Sequence, residues 1–213
     1  MTDAKPSAVP LASNFILSKD QCPKSENDVK YMLNVPHTSA IGSIMYLMVC
    51  TRPDLAYSIS CLSRYMANPV VEHWNALNCV FKYLVDTIDV GLVFGKHISE
   101  LKLNGYVDFN YANDRDSRKS TMSYIFTLCG SCVNWKSQLQ HIVALSTTES
   151  EYVAITEALK EADLFFTAIS LSMIYIDKFL TLSYRNFTLC SPNFPDERDQ
   201  PVFGIPASLA IGT

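Results

Sequence analysis

The sequence predicts an α/β protein in which a helical segment precedes a three-stranded antiparallel β-meander and one further helix. Two changes of pattern predict it. Apolar residues recur at spacings of three and four between Ala40 and Asp86, and beyond Asp89 the period shortens to two. A third signal, Ser146-Thr147-Thr148-Glu149, has the form of a capping box and marks a helix start directly after the strands.

Taken in order, residues 1–36 carry Pro6, Pro10, Pro23 and Pro36 among polar side chains and are read as an extended arm. Residues 37–98 are read as helical. Ile44, Leu47 and Met48, then Leu55, Ile59, Leu62 and Met66, form two stripes separated by Pro53 in a first helical turn. Trp74, Leu77, Val80, Phe81 and Leu84 form a third, starting after Asn68-Pro69 and ending near Asp86. Residues 99–170 form the second part. From Leu101 to Asn110, Leu101, Leu103, Val107 and Phe109 alternate with Lys102, Asn104, Tyr106 and Asp108, which puts a carboxylate in mid-strand. Met122 to Cys129 is rich in β-formers, and Gly130-Ser131 suits a type II′ hairpin turn. Cys132 to Lys136 and Ile142 to Leu145 supply the third strand, with a bulge or loop between them. In the following helix the stripe Tyr152, Ile155, Leu159, Ala162, Phe166 and Ile169 is expected to face the sheet, so that Glu151 leans towards the surface carrying Asp108. Residues 171–213, with Pro192, Pro195, Pro201 and Pro206, are read as an unrelated tail without order.

Composition narrows function. The 213 residues are 48% hydrophobic and 18% charged with a net charge of −4, unlike a basic protein that coats nucleic acid. Seven glycines show no phosphate-cradling pattern. Ile41 to Cys50 is far short of the roughly 20 apolar residues of a spanning helix. No signal peptide and no Arg-x-Leu-Arg stretch is read, so the expected location is intracellular (cytoplasmic or nuclear), not secreted and without a membrane partner. Seven cysteines at irregular spacing argue for buried thiols. Cys129-Gly130-Ser131-Cys132 is formally a CxxC, but it flanks a hairpin turn and lacks a partner pair, so packing is preferred to redox or zinc chemistry. His73 and Trp74 fall in a helical stripe and are read as packing residues.

Several motifs stand in a recognisable order: Thr51-Arg52-Pro53-Asp54, Lys82-Tyr83-Leu84, Gly105-Tyr106-Val107-Asp108, Arg118-Lys119-Ser120-Thr121, Asn134-Trp135-Lys136-Ser137 with Gln140, and Ala144-Leu145-Ser146-Thr147-Thr148-Glu149-Ser150-Glu151-Tyr152. The chain resembles copia-type (Tnt-like) retrotransposon Pol polyproteins, over the end of the reverse transcriptase and the start of the ribonuclease H domain. The resemblance covers residues 1 to about 165 and implies a truncated ribonuclease H-like fold. It also implies Mg²⁺-dependent hydrolysis of RNA in an RNA–DNA hybrid, with a carboxylate cage holding two ions about 3.5–4 Å apart. On the family pattern Asp108 and Glu151 are the catalytic, metal-binding acids, while Glu149 caps the helix. Asn110 stands where relatives often have a second Asp.

Beyond Leu164 the resemblance stops. Relatives continue with a strand ending in a third catalytic Asp and a later Arg-Thr-Lys-His-Ile run, which Met173 to Thr213 does not contain. Asp177, after Met173-Ile174-Tyr175-Ile176, could imitate that third Asp, although coincidence is the preferred reading. No adjacent Asp pair is present, so polymerase activity is not expected, and the rest of the Pol polyprotein is missing. Loss of hydrolysis is the expected state, with a non-catalytic nucleic-acid or protein interaction module as the alternative. Arg115, Arg118 and Lys119 form a small basic cluster suited to a phosphate backbone, and a solvated loop with Asp114 and Asp116 interleaved is an equal reading.

Overall fold

A computed structural model describes residues 7–21, 23, 25–94, 102–176 and 187–190, and for 168–176 and 187–190 the backbone alone. The chain divides into two compact units. The described part of the first comprises residues up to Leu92 together with Asp114–Arg118, and the second holds the strands and the long helix.

In the first unit the stretch read as an extended arm contains a helix, α1 (Glu26–Leu33). Ser25 starts it by accepting the Asp28 N–H at 3.1 Å, and Glu26 and Asp28 place negative charge at the positive end of the helix dipole. These caps outweigh the nearby Pro23. The arm is also not separate from the core, since Leu11, Phe15 and Leu17 pack on it. α2 (His37–Cys50) is followed by a single 3₁₀ turn at Pro53–Leu55 and by α3 (Ala56–Ser63), as proline in a first turn predicts. α4 (Val71–Asp86) closes the unit. The core is Ile41, Ile44, Leu55, Ile59, Leu62, Ala76, Leu77, Val80 and Tyr83, largely the predicted stripes.

In the second unit β1 (Leu103–Asn110), β2 (Thr121–Leu128) and β3 (Ser131–Leu139) form the antiparallel meander. Two corrections concern its turns. Cys129 and Gly130 both have positive φ, 51° and 79°, so they are the central pair of a type I′ turn rather than Gly130-Ser131 of a type II′ turn. The third strand is one run ending at Leu139. Ile142 to Leu145 lies outside it, with Val143 and Leu145 exposed despite their alternation. The irregularity falls instead at Val133, where the pairing shifts between Phe126–Asn134 and Thr127–Cys132.

α5 (Thr147–Ile176) runs beyond the predicted limit, and Phe187–Cys190 forms β4, parallel to β1, giving the order β3-β2-β1-β4. The backbone at these two places is regular, where a tail without order was expected. Four tail residues whose strand character comes from pairing with Leu103–Tyr106 leave no periodicity of their own to read.

The buried row of α5 agrees with the predicted one only at its far end, where Ala162 is buried and Phe166 packs against the same cluster. Ser150, Ala154, Ala158 and Ala162 face inwards, and Ala158 and Ala162 pack with Leu103, Tyr124 and Phe126, whereas Tyr152 is 69% exposed and Leu159 is exposed as well. Small side chains at every fourth position let the helix lie close to the sheet. Tyr152 and Leu159 give the louder sequence signal, yet they lie on the exposed side of the helix, whereas Phe166 reaches the core.

Candidate functional site

Asp108 lies in β1, an interior strand. Val107 packs with the cluster beneath α5, so strand alternation sets Asp108, with Tyr106 and Asn110, on the opposite face of the sheet. Its cross-strand neighbour is Ser123 on β2, and the neighbour of Ser123 is Ser137 on β3. Ser123 is buried, and the buried Ser137 Oγ has no hydrogen-bond partner. A polar row thus crosses three strands. Burial raises the Asp108 carboxyl above the usual carboxylate range, and the Phe109 N–H opposes that only in part.

Glu151 lies in the first turn of α5 and is exposed. It adjoins the buried Ser150, and the first residues of the stripe expected to turn it towards the sheet are not inward-facing, Tyr152 being exposed and Ile155 half-buried beside Ala154. Glu149 does cap the helix: its N–H donates to Ser146 Oγ at 3.1 Å, and its carboxylate accepts the Leu145 N–H at 2.7 Å, one residue earlier than a standard capping box. Asp177 lies outside the described residues. Among the described residues no group of three or more His, Cys, Asp or Glu side chains could hold a metal ion. The described donor set therefore does not fit a two-ion carboxylate cage.

The loop Ala112–Lys119 is anchored rather than simply solvated. Asp114 is buried and accepts from Arg64 Nη1 at 2.7 Å, from the Ser117 N–H at 2.9 Å and from the Ser117 hydroxyl. Burial alone would raise its carboxyl; the Ser117 and Arg64 donors hold it below the usual range. Asp116 accepts from Ser18 Oγ at 2.8 Å, the Lys19 N–H at 3.0 Å and the Tyr65 hydroxyl at 3.1 Å. The two acids that would neutralise the cluster are thus engaged, while Arg115 and Arg118 are exposed and Lys119 is half-buried. Arg118 has φ of 59°, a left-handed backbone in the bend.

Two further arrangements were not anticipated. In the second unit Gln140 is fully buried: its Nε2 donates to the Ser150 carbonyl at 2.7 Å, its Oε1 accepts from Ser150 Oγ at 3.3 Å, and its N–H donates to the Ser120 carbonyl at 2.9 Å. It pins the start of α5 to the end of β3 and the start of β2. In the first unit Arg52 donates to Asp54 at 2.7 and 3.0 Å and to the Thr87 carbonyl at 2.9 Å, and the Tyr83 hydroxyl donates to Asp54 at 2.9 Å. Two motifs quoted for the resemblance, around Arg52 and Tyr83, therefore meet in one buried network. The CxxC reading as packing thiols agrees with burial of Cys132, which pushes its thiol up to about 12 and removes nucleophilic character.

A helical unit followed by a meander, a long helix and a returning parallel strand defines the class as α/β. Sequence relatives give the family. Over 180 residues the chain is 44% identical to the Retrovirus-related Pol polyprotein from transposon TNT 1-94 of Nicotiana tabacum, which covers 84% of this chain and 13% of that polyprotein. It is 37% identical over 161 residues to the corresponding polyprotein from transposon RE2 of Arabidopsis thaliana, covering 76% of this chain and 10% of the relative. It is 50% identical over 131 residues to Secreted RxLR effector protein 161 of Plasmopara viticola, covering 62% of this chain and 92% of that protein. The chain belongs to the copia-type retrotransposon Pol polyproteins and spans a small part of their length. No family model and no solved structure matches it. Among the described residues no helix is long and apolar enough to cross a membrane.

Proposed function

We propose that the second unit is a ribonuclease H-like segment of a transposon-derived chain, in which Asp108 and Glu151 are remnants of a Mg²⁺ site and hydrolysis of the RNA strand of an RNA–DNA hybrid has been lost. One observation carries the reading. The strand paired beside β1 is Phe187-Thr188-Leu189-Cys190, and it brings no carboxylate to a sheet whose single interior acid is Asp108. Two-ion hydrolysis requires acids from several elements to share both cations, and losing one ligand loses an ion. In this reading Asp108 would carry a fraction of the original charge and hold no proton-transfer role.

Titration calorimetry with Mg²⁺ tests the reading: the full chain is expected to show no saturable binding in the low millimolar range. Saturable binding that disappears in Asp108→Asn would contradict it.

The anchoring of Asp114 and Asp116 favours a second, compatible reading in which Arg115 and Arg118 contact a phosphate backbone without cleaving it. In fluorescence anisotropy with a labelled hybrid, Arg115→Ala/Arg118→Ala is expected to weaken binding about tenfold and to flatten its salt dependence by roughly two counterions. Unchanged affinity and salt slope would remove the loop from the interface.

A further inference from the structure

Helices α2 and α4 each carry a buried histidine in the first turn. His37 is the first residue of α2 and His73 the third of α4, and they are 1% and 0% exposed. His73 Nδ1 accepts the Val70 N–H at 3.1 Å, which assigns the ring proton to Nε2, and that buried nitrogen has no partner. Neither nitrogen of His37 has one. The rings are held by packing: His73 stacks on Tyr65 with centroids 4.2 Å apart, and His37 lies tilted against Trp74 at 6.4 Å.

Burial, helix position and mutual repulsion disfavour the imidazolium form of the two rings. A cation in the first turn of a helix opposes the helix dipole, and here that holds twice. The histidines repel each other when charged. Two acids act in the other direction, Glu72 and Asp116, but Asp116 already accepts from Ser18, Lys19 and Tyr65. Burial, and after it His37, pushes His73 down to about 4, and burial lowers His37 too.

We propose that His37 and His73 form an acid-triggered release in the helical unit: neutral, they allow α2 and α4 to start inside the core, and protonated, they force those helix ends open. Tyr65 extends the effect to the basic loop. Its ring stacks on His73 and its hydroxyl holds Asp116, so opening the helix ends frees the anchor behind Arg115 and Arg118. The device operates whether or not that loop binds nucleic acid.

An unfolded histidine titrates near 6.5, whereas the folded His73 does so near 4. The unfolded chain therefore takes up protons first as pH falls. The stability these groups contribute is complete above pH 6.5 and is lost progressively down to about pH 4. Urea unfolding of the full chain is expected to show the unfolding equilibrium constant rising about twentyfold or more between pH 7 and pH 5. His37→Phe/His73→Asn keeps an aromatic ring at the first position and an acceptor for the Val70 N–H at the second, and should reduce that rise to about threefold or less. A wild-type constant flat over this range, or a variant that keeps the full dependence, would overturn the proposal. If the variant does not fold, ¹⁵N-resolved imidazole spectra of the wild type decide: neutral rings at pH 6, with the His73 proton on Nε2, are expected, and imidazolium signals for both at pH 6 would refute it.

Discussion

Arg52 and Gln140 are long polar side chains with every described contact directed inwards, and they fasten distant stretches of chain. Arg52 and Asp54 form an ion pair with side chains 5% and 2% exposed, so removing one partner strands the other without water. Arg52→Met is expected to cost about 3–5 kcal/mol in urea unfolding, whereas a surface ion pair such as Lys160–Glu157 should cost under about 1 kcal/mol. Gln140→Ala removes both side-chain bonds to Ser150 and should cost about 1–3 kcal/mol, with the loss reported by the helical signal of α5. Asp108 behaves oppositely. Its carboxyl is raised by burial, so the charged form is disfavoured in the fold above that pKa, and Asp108→Asn is expected to raise the urea midpoint at pH 7 and to leave it unchanged near pH 3, where the carboxyl is protonated in both states. The sequence points to which residues matter and says less about what they do. Arg52, Asp54, Tyr83, Gln140 and Ser150 all stood in the motifs of the family order, but only the folded chain brings them into two buried networks.

Among the elements, the helices of the first unit were legible because their apolar residues are large and regularly spaced. In α5 the same rule holds at Ala162 and Phe166 and fails in the turns before them. Tyr152, Ile155 and Leu159 dominate the pattern, yet the sheet admits Ala154, Ala158 and Ala162. Ala158→Leu should therefore be overpacked and destabilise by about 1–3 kcal/mol, while Leu159→Ala, at a site 38% exposed, should cost well under half as much. Either result in reverse would restore the larger stripe. The start of α5 was correctly read, and Ser146→Ala is expected to cost about 1 kcal/mol through loss of the Glu149 N–H acceptor. β4 could not be read from the sequence, because a four-residue parallel strand is defined by its partner rather than by its own composition.

Across the whole molecule, charge is distributed by role. Residues 101–140 hold five basic and three acidic groups, and 141–170 hold one basic and five acidic. Of the three acids in the first stretch, two anchor the loop and one is Asp108. Of the five in the second, Glu149 caps α5 and Glu157 and Glu161 pair with Lys160 and Lys136. The acidic excess that resembles a cation site is in large part spent on capping and pairing, which leaves Asp108 and Glu151 as the carboxylates of the family pattern within the described residues. In the proposed reading this remnant does not cut. That reading is tested most directly by incubating the full chain with a labelled RNA–DNA hybrid in Mg²⁺, beside Asp108→Asn. The same background hydrolysis is expected for both proteins, and RNA-strand cleavage by the wild type that Asp108→Asn abolishes would overturn the proposed reading.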